Sequence, residues 1–402
     1  MKKYLILLIA GIIVIPISSI IPMKGQAIWF PQYTAMLFML FAGASLLLWD
    51  FNKYLSIFTF IMLISTFFNT GLKPRAIMCL LQFDLCCLGA YGISKFNQQQ
   101  RKYILYSILS LVVIYSIWIL LQSYNKDPFF SSTLAQGKDE LVGFSGAKDQ
   151  LGTFFALTMP VMAFLNPAFL TLSFMGLLIS KSSFAIVSAI SGLGLYYFCV
   201  SKRIFYISLL GIAMILIIFF RFVDPPIYQD FETRLNVWKC AIISTIKGEL
   251  TVTTGVVRQD TRNGVFSTVE GETTPIKFSP IIGMGLGSWI SSFPYVKAVN
   301  FNYYDEKFTH AHNDFVEMFL ELGWLGLTSL VLLMMNMAIR FFKAVKTREL
   351  VLFTSCILVY ALNASGNFLS HLAVSGMLLT VFYGCFEGVL RDGKITQAMQ
   401  RA

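Results

Sequence analysis

The sequence predicts an all-α, polytopic membrane protein with about twelve transmembrane helices and a large external loop that holds an amphipathic helix and a β-hairpin. Three observations predict it. Hydrophobic residues make up 56% of the 402 residues and charged residues only 13%, with a mean hydropathy of +0.69, well outside the composition of a soluble domain. Apolar runs long enough to cross a bilayer, roughly 17–20 residues, recur along the chain. Basic residues gather in short clusters at the ends of those runs, as the positive-inside rule requires. The formal charge of +10 is therefore a topological charge, and nucleic acid is excluded as a partner.

Met1-Lys2-Lys3 followed by an apolar run resembles a signal peptide, but without a small-x-small cleavage site it reads as a retained first helix. Spans are expected near 4–21, 33–49, 54–70, 76–93, 103–121, 151–165, 167–180, 184–200, 204–220, 323–342, 350–363 and 368–389. Three segments follow: 1–220 with nine spans and an external loop at 122–150, the large loop 221–322, and 323–402 with the last three spans and a cytoplasmic tail. The clusters Lys95/Arg101/Lys102, Lys202/Arg203, Arg340/Lys343/Lys346/Arg348 and Arg391/Lys394/Arg401 then all fall inside, which places both termini in the cytoplasm and the two long polar loops outside. Six of the seven cysteines lie in apolar runs and only Cys240 in a polar stretch, so no disulfide framework is expected.

Within the large loop, Phe231 to Ile246 has the apolar period of an amphipathic helix. Leu250 to Val257 and Val265 to Val269 are Thr/Val-rich and flank Asn263-Gly264, which suggests a hairpin. Pro280 to Trp289 is a glycine-rich turn. The segment Thr309-His-Ala-His-Asn313 leads into a half-apolar helix and then Gly323-x-x-Gly326. With Thr309 as N-cap, His310 and His312 would occupy the first helical turn, where the positive helix end favours a neutral imidazole able to accept a proton. A histidine at such a boundary is equally suited to capping the helix or meeting a lipid headgroup.

Arg234 and Trp238 share one face of the amphipathic helix. A guanidinium there grips a diphosphate bidentately, with the indole at the interface, or snorkels to headgroups. Lys181, in a short turn between two spans, Lys148, at a glycine-rich helix entry, and Arg75, near the outer end of its span, are further anion contacts or topological charges. Asp84, in mid-span, is costly unless paired or lining a cavity. The sequence lacks nucleotide-binding glycine fingerprints and metal-spaced Cys/His clusters, so chemistry without cofactor or metal is the simpler expectation.

In order along the chain, Gly143–Gly152, Arg234-Leu-Asn-Val-Trp238, Ser279–Gly287 and His312-Asn313 with Gly323 and Gly326 resemble the bacterial O-antigen ligase and O-antigen polymerase superfamily, which includes protein O-oligosaccharyltransferases. The resemblance covers roughly Leu141 to Leu330. It implies a glycosyltransferase of the bacterial inner membrane, multi-pass, with its site facing the periplasm. Its donor would be a glycan on undecaprenyl diphosphate and its acceptor a hydroxyl of lipid A core or of a growing polysaccharide, among membrane lipids, without cofactor. His312 would be the base and Arg234 the residue holding the diphosphate, while Asn313, His310, Trp238, Lys181, Lys148 and Arg75 are this sequence's own candidates for substrate contact. Relatives often carry arginine where this chain has Lys181, and the Leu250–Lys277 hairpin looks like an insertion. Without an evident extra C-terminal domain, ligase or polymerase is favoured over transfer to protein. A lipid-linked glycan transporter is the alternative class and predicts functional charges near mid-bilayer; a non-catalytic scaffold predicts indifference to His312.

Overall fold

The computed structural model describes residues 52–67, 73–124, 148–201, 227–253, 273–289, 310–367, 369 and 373–401. They form a mostly helical protein. In chain order the elements are α1 (Lys53–Phe67), α2 (Lys73–Ser94), α3 (Gln98–Ser123), α4 (Lys148–Leu165), a 3-10 turn (Pro167–Phe169), α5 (Leu170–Ser180), α6 (Ser183–Val200), α7 (Ile227–Lys247), β1 (Glu249–Thr253), β2 (Thr273–Lys277), α8 (Asp314–Lys343), α9 (Arg348–Ala364) and α10 (Ala373–Arg401). Among the described residues, four helices are long and apolar enough to cross a membrane, at Gln98–Ser123, Ser183–Val200, Asp314–Lys343 and Val374–Gly393. The expected spans at 4–21, 33–49 and 204–220 lie outside the described residues. The last helix begins at Ala373 and runs to Arg401, later and longer than the expected span at 368–389.

Chain contacts divide the protein into two compact units. One draws on Leu85–Val223 and Ile339–Ala402. Its centre is α4, which packs against α3, α5, α6, α9 and α10. Leu151, Phe155, Ala156, Leu157, Val161 and Met162 are all buried, so this helix has no solvent or lipid stripe, as a fully apolar helix at the centre of a bundle must. Helices in such a bundle approach closely through small residues: a Cβ on Gly192 of α6 would stand 2.2 Å from Val359 Cγ2 of α9. At one end, Arg101 of α3 is buried and donates to Glu349 of α9 (3.2 Å), Asp392 of α10 (2.9 Å) and the Phe96 carbonyl (2.6 Å). A buried guanidinium survives because each of these acceptors compensates its lost hydration. Arg340 makes a forked pair with both oxygens of Glu387 on α10.

The other unit draws on Phe51–Asp84 and Asp224–Ala338. The amphipathic helix is present as α7, with Val237 and Ala241 turned into a core shared with Leu250, Met284, Trp289, Ala311, Val316 and Leu320. β1 and β2 pair antiparallel from Glu249↔Lys277 to Thr253↔Thr273. The second strand thus lies at Thr273–Lys277, whereas the expected Val265–Val269 and its Asn263-Gly264 turn fall outside the described residues. Pro275, which has no N–H to give, is tolerated because each strand of a two-stranded sheet is an edge.

α8 is two helices joined at Gly323, whose φ of 61° and ψ of −159° lie in a region open essentially to glycine alone. The break leaves carbonyls at the end of the first segment without helical partners, and the glycine-rich turn supplies them. Met284 N–H donates to Leu320 O and Gly285 N–H to Glu321 O, while Trp324 and Leu325 N–H donate back to Pro280 and Ile281 carbonyls. The Ser65 hydroxyl of α1 also donates to Glu321 O, at 3.0 Å.

Candidate active site

The segment 310–313 is a hook ahead of the helix. The N-cap is Asn313, whose Oδ1 accepts from Phe315 N–H (3.0 Å) and Val316 N–H (3.2 Å). Thr309 lies outside the described residues, and His310 and His312 precede the helix instead of occupying its first turn. The first-turn position expected to favour a neutral imidazole is therefore not the one either histidine occupies. The physical reason for the later start is that Asn is as good a cap as Thr and the hook is held by contacts remote in sequence.

Those contacts are specific. Glu317, buried on α8, reaches back so that one oxygen lies 3.1 Å from His310 Nδ1 and the other accepts from Ala311 N–H at 2.9 Å. With Glu317 ionised the carboxylate can only accept, and His310 Nδ1 would then carry the proton of that bond. The Ala311 carbonyl accepts from Trp238 Nε1–H of α7 at 2.7 Å. With Ala311 held on both sides, His312 takes a left-handed backbone with φ of 51°. For a non-glycine residue this costs on the order of 1–2 kcal/mol and persists only where the surroundings impose it.

Arg234 is buried on α7, one helical turn before Trp238. The indole is therefore a tether more than an interfacial anchor, fixing the helix that carries Arg234 to the residue beside His312. Trp238→Phe keeps an aromatic ring but loses the pyrrole half of the indole with its N–H donor. It is expected to lower stability by about 1 kcal/mol and the proposed transfer activity by about tenfold, since roughly 1.4 kcal/mol is a factor of ten; thermal unfolding and turnover of the variant check both.

Glu321, also buried, accepts from Gly287 N–H and Trp289 N–H, both at 2.9 Å. Asp314, Glu317 and Glu321 thus form one buried acidic face. These two glutamates carry the geometry yet do not stand out as motifs. Their signal is the spacing i, i+3, i+7 in an apolar helix, because buried carboxylates there demand partners.

The remaining candidates are placed as follows. Arg75 is in the first turn of α2. Lys148 opens α4, and Lys181 closes α5 with a left-handed φ of 52°, in the first unit. A Cβ on Gly152 would stand 2.6 Å from Ser180 Oγ and 2.8 Å from Ser182 Cβ, so the entry of α4 is packed against the turn that carries Lys181. Cys240 is half-buried on α7, and burial pushes its thiol above the ordinary range.

Compared with protein-family models and with curated proteins, the chain matches none. The functional reading therefore rests on the residues and their geometry.

Proposed function

We propose that this chain is a twelve-span glycosyltransferase of the bacterial inner membrane, similar to O-antigen ligases and polymerases, with its site on the periplasmic face. The observation that carries the reading is the tether from the helix of Arg234, through Trp238 and Ala311, to the strained backbone of His312. It ties the helix that carries Arg234 to the backbone next to His312, which supports a reading in which the two act as positioned anion-binding and acid–base groups.

In the proposed step, His312 takes the proton of the acceptor hydroxyl as its oxygen bonds to the anomeric carbon. The bond from that carbon to the diphosphate oxygen breaks, and undecaprenyl diphosphate leaves with the electron pair, its charge held by Arg234. A diphosphate is already a good leaving group, so positioned positive charge matters more than a strong acid.

Purified protein given undecaprenyl-diphosphate glycan and separately supplied lipid, polysaccharide or protein acceptors, with chelator present, is expected to transfer glycan. His312→Ala should fold and lose about 10²–10⁴-fold of that rate, and Arg234→Lys should lose much of it because the bidentate grip is gone. Undiminished transfer by His312→Ala removes the base assignment, and carrier translocation without transfer removes the enzyme reading. The acceptor that is glycosylated separates ligase, polymerase and protein transferase.

A further inference from the structure

α7 has one buried face and one exposed apolar face. Arg234, Val237, Ala241, Ser244 and Thr245 are buried. On the opposite side Leu235, Ile242, Ile243 and Ile246 are 44, 37, 40 and 56% exposed. Their spacing of seven, eight and eleven residues draws a continuous stripe along three turns. Lys239 and Lys247, both exposed, stand within and beside it.

Three backbone contacts say what lies next to that stripe. Gly248, the residue after α7, accepts from Phe278 N–H at 2.9 Å, and two and three residues later the Pro280 and Ile281 carbonyls accept from Trp324 and Leu325 at 3.0 Å. Trp324 and Leu325 begin the apolar second segment of α8, and Ile281, Trp324 and Leu325 are themselves 57, 47 and 42% exposed. The C-terminal end of α7 is thus stitched to the mouth of a membrane span. Exposed Ile246, Ile281, Trp324 and Leu325 follow one another there.

We propose that the outer face of α7 docks on the bilayer that this span crosses, lying in the boundary between headgroups and acyl chains. Aliphatic side chains enter the acyl region while Lys239 and Lys247 extend to anionic headgroups, the arrangement of an interfacial helix. Such docking fixes the depth of Arg234 on the other side of the same helix, at the level where a lipid-linked diphosphate stands. That consequence rests on the proposed reaction; the docking does not.

The test uses the full chain in nanodiscs of phosphatidylethanolamine and phosphatidylglycerol. The fluorescent amino acid Anap is placed singly at Ile243, at Ile246 and, as comparator, at exposed Glu249. The first two probes are expected to be quenched several-fold more strongly by brominated acyl chains than by aqueous iodide, and the Glu249 probe in the opposite order. Unsubstituted protein exposed to a lipid-soluble diazirine should carry label within 242–246, which guards against misfolding of the probe variants. Iodide quenching at Ile243 and Ile246, or shielding from both quenchers as a second copy of the chain would give, overturns the proposal, as does an unlabelled 242–246 peptide.

Discussion

Gly323→Ala is expected to cost upward of about 4 kcal/mol, the range reserved for substitutions that break a special backbone site. An added Cβ would stand 2.4 Å from Pro280 O, 2.5 Å from Gly283 N and 2.6 Å from Ile281 C. All three are backbone atoms, so no flexible side chain can swing away. The reverse clash is as severe, since a Cβ on Gly283 would lie 2.4 Å from Glu321 C and O. The two glycines are each other's requirement, because four hydrogen bonds between the turn and the broken helix depend on their approach. Thermal unfolding in detergent checks this, with Gly376→Ala as the contrast. That glycine lies inside α10 with nothing within 4 Å of its would-be Cβ, so alanine there should gain roughly 0.5–1 kcal/mol. Equal stability of the Gly323 variant and the unsubstituted protein would refute the interlock.

Glu317→Gln carries the second large effect, and it falls on activity. Both carboxylate oxygens accept, one facing His310 Nδ1 and one Ala311 N–H. An amide of the same shape offers one acceptor and turns its NH2 on a second donor. Charge-assisted bonds of this kind are worth about 1.5–3 kcal/mol each, and the hook they shape carries His312. Glycan transfer is expected to fall by about 10- to 100-fold, each tenfold being roughly 1.4 kcal/mol. The KM for the lipid-linked donor should stay near that of the unsubstituted protein, because the diphosphate contact proposed above is to Arg234, which Glu317 does not touch in either of these two bonds. A raised donor KM with kcat unchanged would show that Glu317 acts on donor binding and not through the hook.

Local order was legible in the sequence where local chemistry decides it. α7 follows from its apolar period, and β1 from a Thr/Val run. The pair α4 and α5 is separated at Asn166-Pro167 because Asn166 caps the following 3-10 turn through its side chain. What the sequence leaves open is non-local. Thr309 and Asn313 are equivalent caps by type, and the choice falls to Asn313 in a hook that Trp238 and Glu317 restrain from outside. The glycine turn and the Gly-x-x-Gly element are each visible alone, yet their mutual contact has no local signature. Glu317 and Glu321 were discoverable through the cost of three carboxylates on one apolar helix face. Arg101 shows the opposite case: its cluster marks a helix end, but its partners on α9 and α10 emerge only from packing.

The bond from Ser65 to the Glu321 carbonyl joins residues 256 positions apart, which has a consequence in time. A contact of that separation closes late, after the entropy of a very long loop has been given up. During synthesis α1 and α7 therefore emerge before the turn and the broken helix that complete the core of each exist, leaving α7 without its tether until residue 311 has been made. The hook around His312 thus cannot close before Glu317 has been made, and a ribosome-bound chain halted before that point would display α7 without its tether.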